Sequence, residues 1–162
     1  ELNTSGVVMS DNEYSCGAAS FATVLNKMGI NISLNESKDA TKTTINGTTM
    51  NNIIYAAKTY NLKIAKELQK QLSSDAINTN TANLKENFIV HMDIMGINHW
   101  SVVKEINNET IILADPNLGN FKYDLCEFNQ YYTNQSVIIT KSTINNIINN
   151  KYTYVNLYKI VM

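Results

Sequence analysis

Hydrophobic positions first fall into a clear pattern after residue 16. Ala18, Phe21, Ala22, Leu25 and Met28 recur at spacings of three and four. A period of 3.6 brings such positions to one side, so the segment predicts a helix with a single buried face. Gly29 then provides the residue that a helix end favours in the left-handed conformation. Ser33-Leu34-Asn35-Glu36 has the form of a capping box and predicts a second helix to about Lys42. Ile45-Asn46-Gly47 reads as a turn, after which Thr48 or Thr49 caps a third helix from Met50 to Tyr60. Asn61 suits its left-handed end.

The period then changes. Leu62 to Leu68 alternates weakly, as a short strand does. Gln69 to Glu86 is polar, with at most a short helix near Thr81 to Glu86. Phe88 to Ile94, Trp100 to Ile106 and Thr110 to Ala114 are β-branched, apolar runs, separated by Gly96-Ile97-Asn98 and Asn107-Asn108. They predict an antiparallel meander that ends at Asp115-Pro116. Phe121 to Tyr123 reads as a brief strand, Asp124 as the cap of a helix to Tyr132, and Val137 to Thr140 as a strand. An Asn-rich helix from Thr143 to Asn150 and a strand from Tyr152 to Val161 complete the pattern. Helices first and strands afterwards give an α+β fold, N-terminal helices packed on an antiparallel sheet. Without repeats, linkers or charge blocks, residues 1–162 are expected to form one domain, with residues 141–162 as a C-terminal extension.

Composition narrows the function. A net charge of −1 leaves no basic surplus to neutralise phosphates, so nucleic acid is not an expected partner. No run of about 18 apolar residues occurs, so no membrane span is expected. The start at Glu1 rather than Met is that of an excised or processed chain. Six Asn-x-Ser/Thr triplets, at Asn3, Asn31, Asn35, Asn46, Asn108 and Asn134, give a slight push toward an exported, extracellular or envelope setting. Chance triplets are common in a chain this rich in Asn. Two cysteines cannot form a disulfide framework. With two histidines on separate strands and no carboxylate cluster beside them, neither metal nor cofactor is expected.

Cys16 stands where the polar approach Ser10 to Glu13 gives way to the helical pattern. A thiol at a helix N-terminus meets the positive end of the dipole and unpaired N–H groups, which favour the thiolate. The plainer alternative is a small buried cysteine that only packs. A nucleophile needs a base, and the base needs an orienting acceptor. His99 lies at the expected start of the second meander strand, and Asp115 ends the third. With the turn at Asn107-Asn108, paired positions sum to about 215, which puts 99 and 115 roughly opposite each other. His91, inside an apolar strand, reads as structural. Cys126 reads as packing beside Phe128.

Tyr14-Ser15-Cys16-Gly17-Ala18-Ala19-Ser20, Gly47-Thr48-Thr49, His99-Trp100-Ser101-Val102-Val103 and Ala114-Asp115-Pro116-Asn117-Leu118-Gly119 together resemble the double-glycine leader peptidases. These are cysteine peptidases of the papain-like superfamily, found at the N-termini of bacteriocin-exporting ABC transporters. The resemblance covers about residues 10 to 133, within a family-like core of about 10–140. It implies a papain-like fold, with Cys16 as nucleophile, His99 as general base and acid, and Asp115 as the residue orienting the imidazole. Gly17 and Trp100 are candidates for substrate contact. The family's oxyanion-hole Gln, six residues before the cysteine, is replaced by Ser10. Ser10, Asn12 or backbone N–H groups are the alternatives for that donor. Three functional readings follow. The first is a monomeric endoisopeptidase or endopeptidase acting on a cell-wall peptide such as a pseudomurein-type cross-link. The second is a double-glycine leader peptidase. The third is an inactive papain-like binding module. An active triad could also hand its acyl group to an amine, as a transamidase does.

Overall fold

The computed structural model describes residues 2–68 and 87–141. Helix α1 (Cys16–Lys27), α2 (Leu34–Ala40) and α3 (Met50–Thr59) come first. Strands β1 (Leu62–Leu68), β2 (Phe88–Ile94), β3 (Ile97–Ile106), β4 (Thr110–Asp115) and β5 (Gly119–Asp124) follow, then α4 (Leu125–Tyr131) and β6 (Tyr132–Lys141). The strands form one six-stranded sheet in the order β1-β6-β2-β3-β4-β5, with every pairing antiparallel. This is the expected α+β architecture. The helices expected near Thr81 to Glu86 and over Thr143 to Asn150, and the strand over Tyr152 to Val161, lie outside the described residues.

Local signals account for the helix boundaries. Ser33 Oγ accepts the Glu36 N–H and Thr49 Oγ1 accepts the Asn52 N–H, each satisfying a donor that the first turn leaves open. Gly29 and Asn61 end α1 and α3 with φ of 83° and 57°. The one buried face expected for α1 is an underestimate, because every residue from Cys16 to Leu25 is buried. The helix lies between the sheet and the other two N-terminal helices, so it has no solvent side along most of its length. Phe21 is fully buried there, and its truncation to Ala would cost about 3–5 kcal/mol.

Both faces of the sheet are covered. Trp100, Val102, Ala114, Ile89, Val137 and Ile139 pack toward α1 and α3. Val90, Met92, Val103, Leu113 and others pack on the opposite side around Phe128 of α4. The alternation along β3 therefore sorts Trp100 and Val102 to one core and Val103 to the other.

Two turns differ from expectation in ways that bear on the site. Met95 and Gly96 both adopt positive φ, 55° and 86°, which makes a two-residue hairpin turn of the primed kind. Pairing therefore begins at Ile94 with Ile97, and His99 is the third residue of β3 rather than its first. The β3–β4 register sums to 217 next to the turn and to 216 beyond an irregularity between Val103 and Glu105. Continued to its end, that register sets Asp115 opposite Ser101, not His99. The expected sum of 215 was short because the turn is centred one residue later, which raises the sum to 217, and the bulge at Lys104 takes back only one of those two units.

Candidate active site

Cys16 is the first residue of α1 and is 7% exposed. The residue before it, Ser15, occupies the N-cap position without capping. Its hydroxyl instead accepts the Asp11 N–H at 3.2 Å and donates to the Asn12 carbonyl at 3.3 Å. The cap side chain thus braces the preceding loop, and the first-turn amides of α1 have no side-chain cap. The loop is also tied to α2, where Lys38 Nζ meets Asp11 Oδ2 at 2.5 Å.

His99 lies beside the thiol. Its Nε2 is 2.7 Å from Asp115 Oδ2, and Cys16 is near enough to raise the ring's pKa, which leaves Nδ1 for the sulfur side. The Trp100 N–H also points at Cys16 Sγ, at 3.5 Å. His99 and Asp115 are 6% and 1% exposed. Burial is the largest influence on the imidazole and favours its neutral form. It is outweighed by the hydrogen bonds from Asp115 and Cys16 and by their negative charge, which together push the ring up to about 9.

Asp115 is held by more than the histidine. Its second oxygen, Oδ1, accepts the N–H groups of Asn117 at 2.8 Å and Leu118 at 3.0 Å. This is the Asx turn that the Asp115-Pro116 sequence favours, and here the same carboxylate bonds the imidazole. The Pro116 carbonyl accepts the Ser10 N–H at 2.7 Å, which pins the loop preceding Cys16 to the end of β4.

The oxyanion candidates differ in their surroundings. Ser10 Oγ is buried and makes no hydrogen bond. Asn12 spends its Oδ1 on the Tyr14 N–H at 3.1 Å, which leaves its NH2 group to point elsewhere. Gly17 and Trp100, the candidates for substrate contact, sit in packing between α1 and β3. A Cβ on Gly17 would stand 2.6 Å from Thr48 Cβ, 2.7 Å from Thr48 Oγ1 and 3.0 Å from Trp100 Cδ1. The indole N–H donates to the Thr48 carbonyl at 2.9 Å. Thr48 is thus a wall of the site, a role that neither its reading as a helix cap nor its place in the Gly47-Thr48-Thr49 segment assigned to it. The glycine directly after the cysteine was the available signal, since a residue without a side chain marks a close approach.

His91 is a packing group behind the site, as expected. Its ring meets Trp100 edge-on at 4.7 Å, and Nδ1 lies 2.9 Å from Thr133 Oγ1. Cys126 departs from its expected packing role. It is exposed on α4, whose buried residue is Phe128, and both cysteines are free thiols. Among the described residues no group of three or more His, Cys, Asp and Glu side chains could hold a metal ion. Among the same residues no helix is long and apolar enough to cross a membrane.

Known proteins share this arrangement of elements. The structure superposes on the peptidase domain of Streptococcus ComA, described as a bi-functional ABC transporter involved in quorum sensing. The TM-score is 0.74 at 23% identity, over 84% of this chain and 98% of that one. It also superposes on a double glycine motif protease from an AMS/PCAT transporter, solved in complex with the leader peptide. There the TM-score is 0.69 at 24% identity, over 84% and 91%. At these identities the likeness is one of fold. In sequence, an uncharacterized protein of Methanothermobacter thermautotrophicus is 29% identical over 135 residues, 83% of this chain and 88% of that protein. The mesentericin-Y105 transport/processing ATP-binding protein MesD of Leuconostoc mesenteroides is 29% identical over 131 residues, 79% of this chain but only 18% of that protein. The peptidase C39 family model matches residues 4–144, so the chain belongs to that family of papain-like cysteine peptidases.

Proposed function

We propose that the chain hydrolyses a peptide or isopeptide bond, with Cys16 as nucleophile, His99 as general base and acid, and Asp115 as the group that orients the ring. The observation carrying this reading is the buried imidazole between the Asp115 carboxylate at 2.7 Å and the Cys16 thiol. Asp115 fixes Nε2, so Nδ1 can only serve the sulfur. With His99 protonated, Cys16 attacks as the thiolate and forms a tetrahedral adduct at the carbonyl carbon. The uncapped N–H groups of α1 stabilise the developing oxyanion, joined by Ser10 or Asn12. The adduct collapses as His99 gives its proton to the departing amine, leaving a thioester on Cys16. His99 then takes a proton from water, which attacks the thioester and releases the acid and the thiol.

The site is narrow. Cys16, His99 and Trp100 are all nearly inaccessible, so the chain around the scissile bond must be slim. Glycine residues meet that demand, and the double glycine motif protease solved with its leader peptide makes a small-residue peptide one reading of the substrate. The methylene arm of an isopeptide cross-link meets it as well. The second reading is a cross-link in an envelope such as pseudomurein; the Methanothermobacter relative, in which the matched stretch is 88% of the protein, supports a peptidase that acts without a fused transporter. The six asparagines of the Asn-x-Ser/Thr triplets are all exposed, which supports an extracellular or envelope setting.

The test uses a double-glycine peptide and purified wall material in parallel, with Cys16→Ala as control. New amines from the peptide alone favour the first substrate and from the wall alone the second. Rapid alkylation of Cys16 by iodoacetamide at pH 6 is expected of a thiolate paired with imidazolium. Slow alkylation together with no cleavage of either substrate leaves the inactive binding module as the reading.

A further inference from the structure

The hairpin between β2 and β3 carries large apolar side chains where solvent would be expected. Met95 is 92% exposed and Ile97 is 69% exposed. Met95 also adopts φ of 55°, a conformation that costs an unbranched L residue free energy and that hairpins of this kind usually give to Asn, Asp or Gly. A residue that is both unfavourable for its turn and apolar in water is poor for stability, and such outliers gather at functional positions. The tip is also hydrogen-bonded back to its own strand. Asp93 Oδ1 accepts the Gly96 N–H at 2.7 Å, and the strands stay paired up to Ile94 and Ile97.

Its place on the sheet says what it faces. The pairs Met92–His99 and Ile94–Ile97 are two residues apart along the hairpin, so they share a face, while Asp93–Asn98 points the other way. Ile97 therefore follows His99 on the same face, about 7 Å nearer the tip, the length of two extended residues. On the β4 side, the Asp115–Leu118 turn and the Ser10 backbone close the neighbourhood of His99. α1 holds the side of the sulfur. Toward the hairpin tip, Ile97 and Met95 remain exposed.

We propose that Ile97, with Met95 at its rim, is a subsite for an apolar side chain on the leaving-amine side of the scissile bond, centred on the second residue after it. This rests on the proposed hydrolysis, since the group that receives the His99 proton must leave along the His99 side. A peptide bound there runs along the outer part of β3 toward the tip, and the exposed Ile97 and Met95 are covered only when substrate is present.

The test compares peptides with one acyl side and either Leu or Ser at the second leaving-side position. Wild type is expected to favour Leu in kcat/KM by about tenfold, the usual worth of an apolar pocket contact. Ile97→Ser is expected to bring the ratio near one while leaving the iodoacetamide rate of Cys16 unchanged. Met95→Ser is expected to lower the ratio partly. Cleavage of both peptides at equal rate by wild type overturns the subsite and spares the hydrolysis. A preference that survives in Ile97→Ser also overturns it. No cleavage of any peptide or wall substrate removes the hydrolysis and the subsite together. Binding of wild type to lipid vesicles that is lost in Met95→Ser, with leaving-side selectivity unchanged, assigns the tip to a membrane surface and overturns the subsite.

Discussion

His99 and Asp115 form a 2.7 Å contact although the β3–β4 register sets Asp115 opposite Ser101. The contact is diagonal, across two rungs of the ladder, and it depends on the irregularity between Val103 and Glu105. With the sum of 217 that holds beside the turn, Asp115 would stand opposite Val102 and face the helices. The extra residue at Lys104 lowers the sum to 216 and turns Asp115 to the face of His99. A one-residue slip moves a strand's side chains to the other face, and here that slip brings the carboxylate to the imidazole.

Deleting Lys104 is therefore expected to uncouple the pair. The variant should lose activity on the order of 10³–10⁴-fold, the scale of removing an orienting carboxylate. Lys104→Ala, which keeps the bulge, should stay near wild type. Peptide cleavage measured on both folded variants checks this, and full activity in the deletion would count against the bulge as the deciding feature.

The raised pKa of His99 has a consequence for stability. Folding lifts the imidazole from 6.5 to about 9, so the folded chain holds its proton more tightly than the unfolded chain. The stabilisation is complete below about pH 6.5 and is lost as pH rises through about 9, and it is on the order of 3 kcal/mol. Urea midpoints of wild type and His99→Gln should differ most at pH 6 and converge above pH 9. A gap that widens with pH would contradict the proposed charge state.

Asp115→Asn should move the same titration. Removing the carboxylate takes away both its hydrogen bond to the ring and its charge, and burial, which favours the neutral imidazole, gains the upper hand. The His99 titration followed by NMR should shift down from about 9, and cleavage should fall by about 10⁴-fold. An unmoved titration would show that Cys16 alone sustains the imidazolium.

Gly17→Ala sets two effects against each other. Helix propensity favours Ala over Gly by about 1 kcal/mol. The added Cβ would lie 2.6 Å from Thr48 Cβ, and such overpacking costs about 1–3 kcal/mol. Thr48 has little freedom to retreat, because its Oγ1 is bonded to Thr43 at 2.6 Å and its carbonyl to the Trp100 indole. The variant should melt at a lower temperature and alkylate at Cys16 more slowly. A rise in Tm would mean that Thr48 gives way easily.

Ser10→Ala separates packing from chemistry. The hydroxyl is buried without a partner, so its removal should leave stability unchanged or slightly higher. If it donates to the oxyanion, kcat should fall by about 10²-fold with KM little changed. Unchanged kcat would transfer the role to Asn12 or to the α1 backbone, and Asn12→Ala is the next measurement.

Much of this molecule follows from local chemistry. The spacing of Phe21, Ala22 and Leu25 makes a helix, and Ser33 and Thr49 cap helices because their hydroxyls reach the open N–H groups. Alternating β-branched runs make strands wherever the chain carries them. Cys16, His99 and Asp115 could be picked out singly, because a thiol, an imidazole and a carboxylate stand at the ends or beginnings of expected elements. The Asx turn at Asp115 could also be read, since Asp-Pro favours one.

What required the tertiary structure is which side chains meet. Register in a sheet is a sum over all its pairings, and one extra residue reverses a face, so the turn pattern could bring His99 and Asp115 near each other but could not fix the rung or the bulge by which they meet. Ser15 has the composition of a helix cap, yet its hydroxyl goes to the Asp11–Asn12 loop because the chain folds back there, and α1 keeps its amides open. Gly17 is needed because Thr48, thirty-one positions later, packs against it. Sequence alone determined the elements and the reactive groups they carry, through forces that act within a few residues. The geometry among those groups was decided by packing, because contacts between residues distant in the chain depend on every element that lies between them.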